Sequence, residues 1–203
     1  NKFILIPPSH SSINEDVVVQ ILKDMEQKIS PKVTQLFGFD NFKPGYHQLI
    51  TNNDLFKRHN HLYFRAAVQT QLGWYRFSAK HWDLTRNIWS SGVGSIYALI
   101  IALYMNFDEI YLLGIDHCYL SYNNPASYRF YGDHSNSHMK TSEEIIRNQE
   151  VHQKSQNTII LHGTHIAFEQ YTLIAKNTKS KIYNLSPTSI LDIFPRKIFQ
   201  DIS

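Results

Sequence analysis

The 203-residue chain has little cysteine, no long apolar run and none of the dense motifs that mark common chemistries. Cys118 stands alone, which excludes an intrachain disulfide framework and any zinc site built on cysteines. The longest strongly apolar stretch, Ile96 to Met105, is too short to span a bilayer. The apolar start from Phe3 to Ile6 stops at Pro7-Pro8, so a signal peptide is not expected there. There is no internal repeat and no low-complexity tract. A Walker loop, a Gly-x-Gly-x-x-Gly fingerprint, a His-Glu-x-x-His pair and a Gly-x-Ser-x-Gly elbow are all missing. So is Asp-x-Asp, the usual divalent-metal signature of sugar-nucleotide transferases. A net charge of +3 is too small to argue for nucleic acid by itself.

What is present describes a globular chain. Apolar residues make up 42% and charged residues 18%. The length suits one domain that buries roughly 70% of its unfolded surface. Aromatics reach 13%, and there are 11 histidines, which points either to a site for a polar or anionic small molecule or to a tyrosine-rich surface.

The pattern along the chain alternates strands and helices. Phe3 to Ile6 reads as a short buried strand. Asn14 caps a helix from Glu15 to about Ile29, with Val18, Ile21, Leu22, Met25 and Ile29 at helical spacing. Ser30-Pro31 ends it. Lys32 to Tyr46 is expected to be irregular or a short strand, a short helix fits before Lys57, and Leu62 to Phe64 reads as a strand. Gln69 to Trp89 is aromatic and covers a core edge or lines a pocket. Ser90 to Ser95 leads into an apolar helix, Ile96 to Met105, followed by a strand from Glu109 to Leu113. A long polar loop is expected from His117 to Lys140, then a polar helix from Glu143 to about Lys154 and another from about Thr164 to Lys176. Lys181 to Asn184 reads as a strand. Ser186 to Ser189 turns into a short helix, Ile190 to Phe194, which Pro195 stops. A helix followed by a buried strand ending in Gly-x-Asp is the arrangement of an α/β parallel sheet.

Five groups of residues can carry chemistry. The small residues Ser90 to Ser95 precede a helix, where exposed N–H groups either meet an anion or simply start the helix tightly. Gly114-Ile115-Asp116 lies at a strand's carboxyl end, where α/β sheets bind ligands, and Asp116 either bonds a ligand hydroxyl or caps its own loop. Histidine suits proton transfer near neutral pH, and His117, His134, His138, His162 and His165 fall in or near the later loop and helix. Tyr119, Tyr122, Tyr128 and Tyr131 offer phenols that can assist a leaving phosphate without a metal, or anchor the loop. The hydroxyls of Ser186-Pro187-Thr188-Ser189 either bind a phosphate or nucleotide, or cap a helix. With no dense ligand spacing, no metal is expected.

Two of these blocks, together with their neighbours, resemble a known family. Ser90-Ser91-Gly92-Val93, the apolar helix and Phe107 to Asp116 resemble bacterial sialyltransferases of the lipooligosaccharide type. They also resemble the wider 6-hydroxymethylpterin diphosphokinase-like (MptE-like) family. The tail from Lys181 to Leu191 resembles both, and Phe194-Pro195-Arg196 is closer to the wider family. The match covers roughly residues 87–196, about half the chain.

The resemblance implies an α/β fold, a Rossmann-like three-layer sandwich with a mostly parallel sheet, in a single domain over 1–203 with a long loop over the site. It is a variant of the GT-A-like glycosyltransferase architecture. It implies a metal-independent, inverting glycosyltransferase that takes a sugar, sialic-acid-like, from a CMP-type nucleotide donor to a cell-surface glycan acceptor. Carried over by position, Ser91, Gly92, Gly114, Ser186, Pro187 and Ser189 hold the donor, and Asp116 from the Gly-x-Asp corner is counted with them. His138 or His162 is the general base, and Tyr119 and Tyr128 assist the leaving phosphate. No cofactor beyond the donor substrate is implied. The expected setting is cytoplasmic, with peripheral contact at the inner face of a membrane. Both families also open with a strand followed by Gly-x-Gly-Pro-Ser, which this sequence does not contain; the expectation is a fragment or a site built differently. Two other functions stay open: pyrophosphoryl transfer from ATP to a pterin alcohol, which requires Mg²⁺ and carboxylates, and a non-catalytic binding module of a polysaccharide-synthesis complex.

Overall fold

A computed structural model describes residues 2–7, 15–39, 44–68, 83–90, 93–117, 150, 153 and 155–202. The expected cap Asn14, the aromatic stretch 69–82, the loop beyond His117 and nearly all of the helix expected over 143–154 lie outside the described residues. The chain divides into two compact units, Asn1–Phe107 and Asp108–Ser203. Every strand pair described within them is parallel, and the class is α/β.

The first unit holds strands β1 (Lys2–Ile6), β2 (Val33–Phe39), β3 (His61–Val68) and β4 (Ile88–Ser90), in the order β1-β2-β3-β4. Its helices are α1 (Glu15–Lys28), α2 (Tyr46–Asn52) and α3 (Gly94–Tyr104). The sequence explains α1 directly: Glu15 and Asp16 sit in the first turn and Lys28 in the last, as the helix dipole favours. Val18 and Leu22 are its buried positions, one turn apart. They meet Phe37 of β2, Leu49 and Ile50 of α2, and Leu55 and Phe56 in a single core. Phe37 is fully buried, and its ring lies 5.6 Å from Tyr46 and 5.5 Å from Phe56. Side chains alternate along β3, so Phe64 points away from that core. Tyr97 of α3 meets it on that opposite face, at a ring separation of 5.7 Å.

The region from Lys32 to Tyr46 turns out to contain a full seven-residue strand. Val33-Thr34 and Leu36-Phe37 supply the β-branched and aromatic residues that favour it. Central strands in a parallel sheet are buried on both faces, so the alternation that marks a half-exposed strand is absent. Gln35, Leu36, Phe37 and Gly38 are all buried.

The second unit holds β5 (Glu109–Leu112), a long helix α4 (Gln156–Asn177) and β6 (Lys181–Asn184), with β5 and β6 paired in parallel. The chain then returns along β6, with a bridge between Asn184 and Arg196, and ends in a single 3-10 turn at Phe199–Asp201. Two expectations change here. Helix α4 starts at Gln156, not near Thr164, because Ser155 caps it by accepting the N–H of Thr158 at 3.2 Å. Gly163 is carried inside the helix.

The short helix expected over Ile190 to Phe194 does not form. Its backbone groups are taken by distant partners: Ile190 N–H donates to the Asp116 carbonyl at 3.0 Å, and the Leu191 carbonyl accepts from Asn184 Nδ2 at 2.8 Å. No described helix is long and apolar enough to cross a membrane.

Candidate functional site

β5 and β6 end side by side, and the chain beyond each turns toward the other. β5 closes at Leu112, and Gly114 follows with φ +73°, a left-handed conformation that glycine adopts without strain. Among the described residues nothing lies within 4 Å of where a Cβ at Gly114 would stand, so those residues leave its backbone open to close approach. Gly114 N–H donates to Ser186 Oγ at 2.8 Å. Ser189 Oγ donates to the Ile115 carbonyl at 2.6 Å and accepts the Leu191 N–H at 3.0 Å. Leu185 N–H donates to the Leu112 carbonyl at 2.8 Å, continuing the ladder past the strand ends.

The Ser186–Ser189 turn is held from below as well. Asn184, buried at the end of β6, accepts the Ser186 N–H at 2.9 Å through Oδ1 while its Nδ2 donates to Leu191. The Arg196 guanidinium donates to the carbonyls of Ser186 at 3.1 Å and Pro187 at 2.7 Å, and also to that of Ser189. The three carbonyls are thereby gathered on one cation.

The structure thus brings Gly114, Asp116, Ser186, Pro187 and Ser189 into one corner. Their exposure divides their roles. Ser186 and Ser189 are buried, and their hydroxyls bond within the chain. Pro187, Thr188 and Gly114 face solvent, and Asp116 is half-buried. Such a corner can hold a polar ligand against exposed backbone, with the serines fixing its shape. The helix start expected to offer N–H groups there is replaced by the bends after Ser189.

Of the remaining candidates, Ser91, Gly92, Tyr119, Tyr128 and His138 lie outside the described residues. His162 lies inside α4, not ahead of it, because the helix begins six residues earlier than His162. Among the described residues no group of three or more His, Cys, Asp or Glu side chains is placed to hold a metal ion.

Two contacts went unread in the sequence. His117, one of the candidate histidines, is buried directly after the corner with φ +54°, and its Nε2 lies 3.0 Å from the Tyr171 hydroxyl of α4. Burial holds its pKa below the ordinary histidine value, opposed by the neighbouring Asp116 carboxylate. A tyrosine in an apolar helical stripe, as Tyr171 appears, gives no sign that its hydroxyl meets a histidine. The second is that of Tyr111 and Tyr183, stacked across β5 and β6 at 5.5 Å, with Lys197 Nζ 3.8 Å from the Tyr183 ring centre. Their matched positions in the two strands are the signal that could have found the pair.

Comparison with protein-family models, with curated protein sequences and with solved structures finds no match to this chain.

Proposed function

We propose that the chain is a glycosyltransferase of the sialyltransferase-like class, built as a Rossmann-like three-layer sandwich, acting on a CMP-type sugar donor and a glycan acceptor. The observation that carries the reading is the corner beyond β5 and β6. An open left-handed glycine at the carboxyl end of a parallel strand, beside a turn locked by Asn184 and Arg196, supports ligand binding there. In this reading Gly114, Asp116 and the exposed Pro187-Thr188 tip meet the donor, and the resemblance assigns Ser91 and Gly92 to donor binding as well. The acceptor oxygen attacks the anomeric carbon as the bond to the CMP phosphate oxygen breaks. The hydroxyl proton passes to His138 or His162. CMP leaves with the bonding electron pair, helped by Tyr119 and Tyr128.

The test is transfer from a CMP-linked sugar to a glycan acceptor in the presence of a chelator. Replacing the general base with alanine should cut turnover by roughly 100-fold or more. Full activity in both His138→Ala and His162→Ala contradicts the base assignment, and no transfer from any CMP-sugar contradicts the reading. One observation favours a second reading, a non-catalytic binding module: both corner serines spend their hydroxyls inside the chain. A chain that binds no nucleotide donor and transfers no sugar would select that reading.

A further inference from the structure

The first unit has an edge that the donor site does not use. Its parallel strands all begin there: Lys2 and Phe3 open β1, Val33 opens β2, and His61 and Leu62 open β3. The register places Lys2 beside Val33 and Gln35 beside His61, so these starts lie together. Helix α3 begins at the opposite edge, because the Cβ position of Gly94 lies 4.0 Å from Cγ of Pro7, just past the end of β1. Its 11 residues advance roughly 16 Å back along the sheet. Tyr104, Met105 and Phe107 therefore return to the edge where the strands begin. By alternation Phe3 and Leu62 lie on the Phe64 side of the sheet, the side that Tyr97 of α3 meets.

These five side chains are between 37% and 59% exposed. Among the described residues of this unit, Val17 is the only other large apolar side chain so exposed. Single exposed apolar residues are ordinary, but a set gathered at one edge marks an interaction site. The same edge carries Lys2, Lys32 ahead of β2, and Arg58 ahead of β3, all exposed. Among the described residues none of the three has a carboxylate within ion-pair distance; of the acids at this end, Asp24 and Asp54 are held by Lys28 and Lys57, Glu26 accepts the Phe56 N–H, and Asp108, directly after Phe107, is exposed.

We propose that this edge docks on an anionic phospholipid surface. Phe3, Leu62, Tyr104, Met105 and Phe107 enter the headgroup and upper acyl region, and Lys2, Lys32 and Arg58 meet lipid phosphates. Charge favours lipid over a second copy of the chain, since a two-fold pairing of this edge would set the same cations against each other. The inference does not depend on the donor reading.

The test is co-sedimentation of the full chain with vesicles of phosphatidylcholine alone and of phosphatidylcholine mixed with phosphatidylglycerol. The wild type should bind the mixed vesicles and lose that binding in high salt, a comparison that needs no variant. Reversing the three exposed cations (Lys2→Glu, Lys32→Glu, Arg58→Glu) should weaken partition by about 100-fold or more. Leu62→Ser should weaken it several-fold, with circular dichroism confirming the fold of each variant. Wild-type protein left in the supernatant, salt-insensitive binding, or a charge-reversed variant that binds as well as wild type would overturn the proposal. So would a dimer in light scattering that Leu62→Ser dissolves, which would assign the edge to a second copy.

Discussion

Asn184 shows how the candidate corner is built at the scale of single residues. It is buried, and both ends of its amide are engaged, one with Ser186 and one with Leu191. Alanine there strands a buried N–H and a buried carbonyl, so Asn184→Ala should lower stability by about 2–4 kcal/mol in urea titration. A loss under about 1 kcal/mol would mean that the turn holds without it. His117 ties the corner to pH. Its folded pKa is lowered, so as pH falls the unfolded chain takes up the proton first. The stability it contributes is present above the unfolded histidine pKa of about 6.5 and is lost as pH falls toward its folded value. Between pH 7.5 and 5.5 the wild type should therefore lose more stability than His117→Asn, a residue that tolerates the left-handed backbone. Parallel profiles for the two proteins would contradict this. Residue types were legible here, but partners were not. Gly114 and Asp116 announce a corner because glycine and aspartate follow an apolar strand. Nothing in the sequence says that Ser186 and Ser189 face inward, since their bonds run to residues more than seventy positions away.

Among the elements, legibility followed periodicity. Helix α1 and strands β5 and β6 were readable because their apolar spacing and end signals agree. β2 was readable only as one of two alternatives over Lys32 to Tyr46, because burial on both faces removes the alternation that distinguishes a strand. The short helix expected after Ser189 failed for a different reason. Local signals favour a helix there, but Asn184 and Asp116 capture the backbone groups it would need. The element with most at stake in packing is β2, through Phe37, whose ring meets Tyr46, Phe56, His61 and Tyr63. Phe37→Ala should cost about 3–5 kcal/mol, and Phe37→Leu distinctly less, since it restores most of the lost volume. Equal losses in thermal or urea unfolding would show that edge-to-face ring contact, not volume, holds this core.

For the whole molecule, the α/β class was legible, because strands and helices alternate and every strand pair described is parallel. The division into two compact units was not, because no linker, composition shift or proline-rich tract marks the boundary near Phe107. The functional reading rests on a corner whose geometry favours binding and on a resemblance that points to a cytidine nucleotide. Calorimetric titration of the full chain with CMP, with and without Mg²⁺ and alongside ATP, tests it most directly. The account predicts saturable CMP binding that does not need the metal. Binding of ATP only in the presence of Mg²⁺ would contradict it in favour of pyrophosphoryl transfer, and no binding of either nucleotide would contradict the donor site itself.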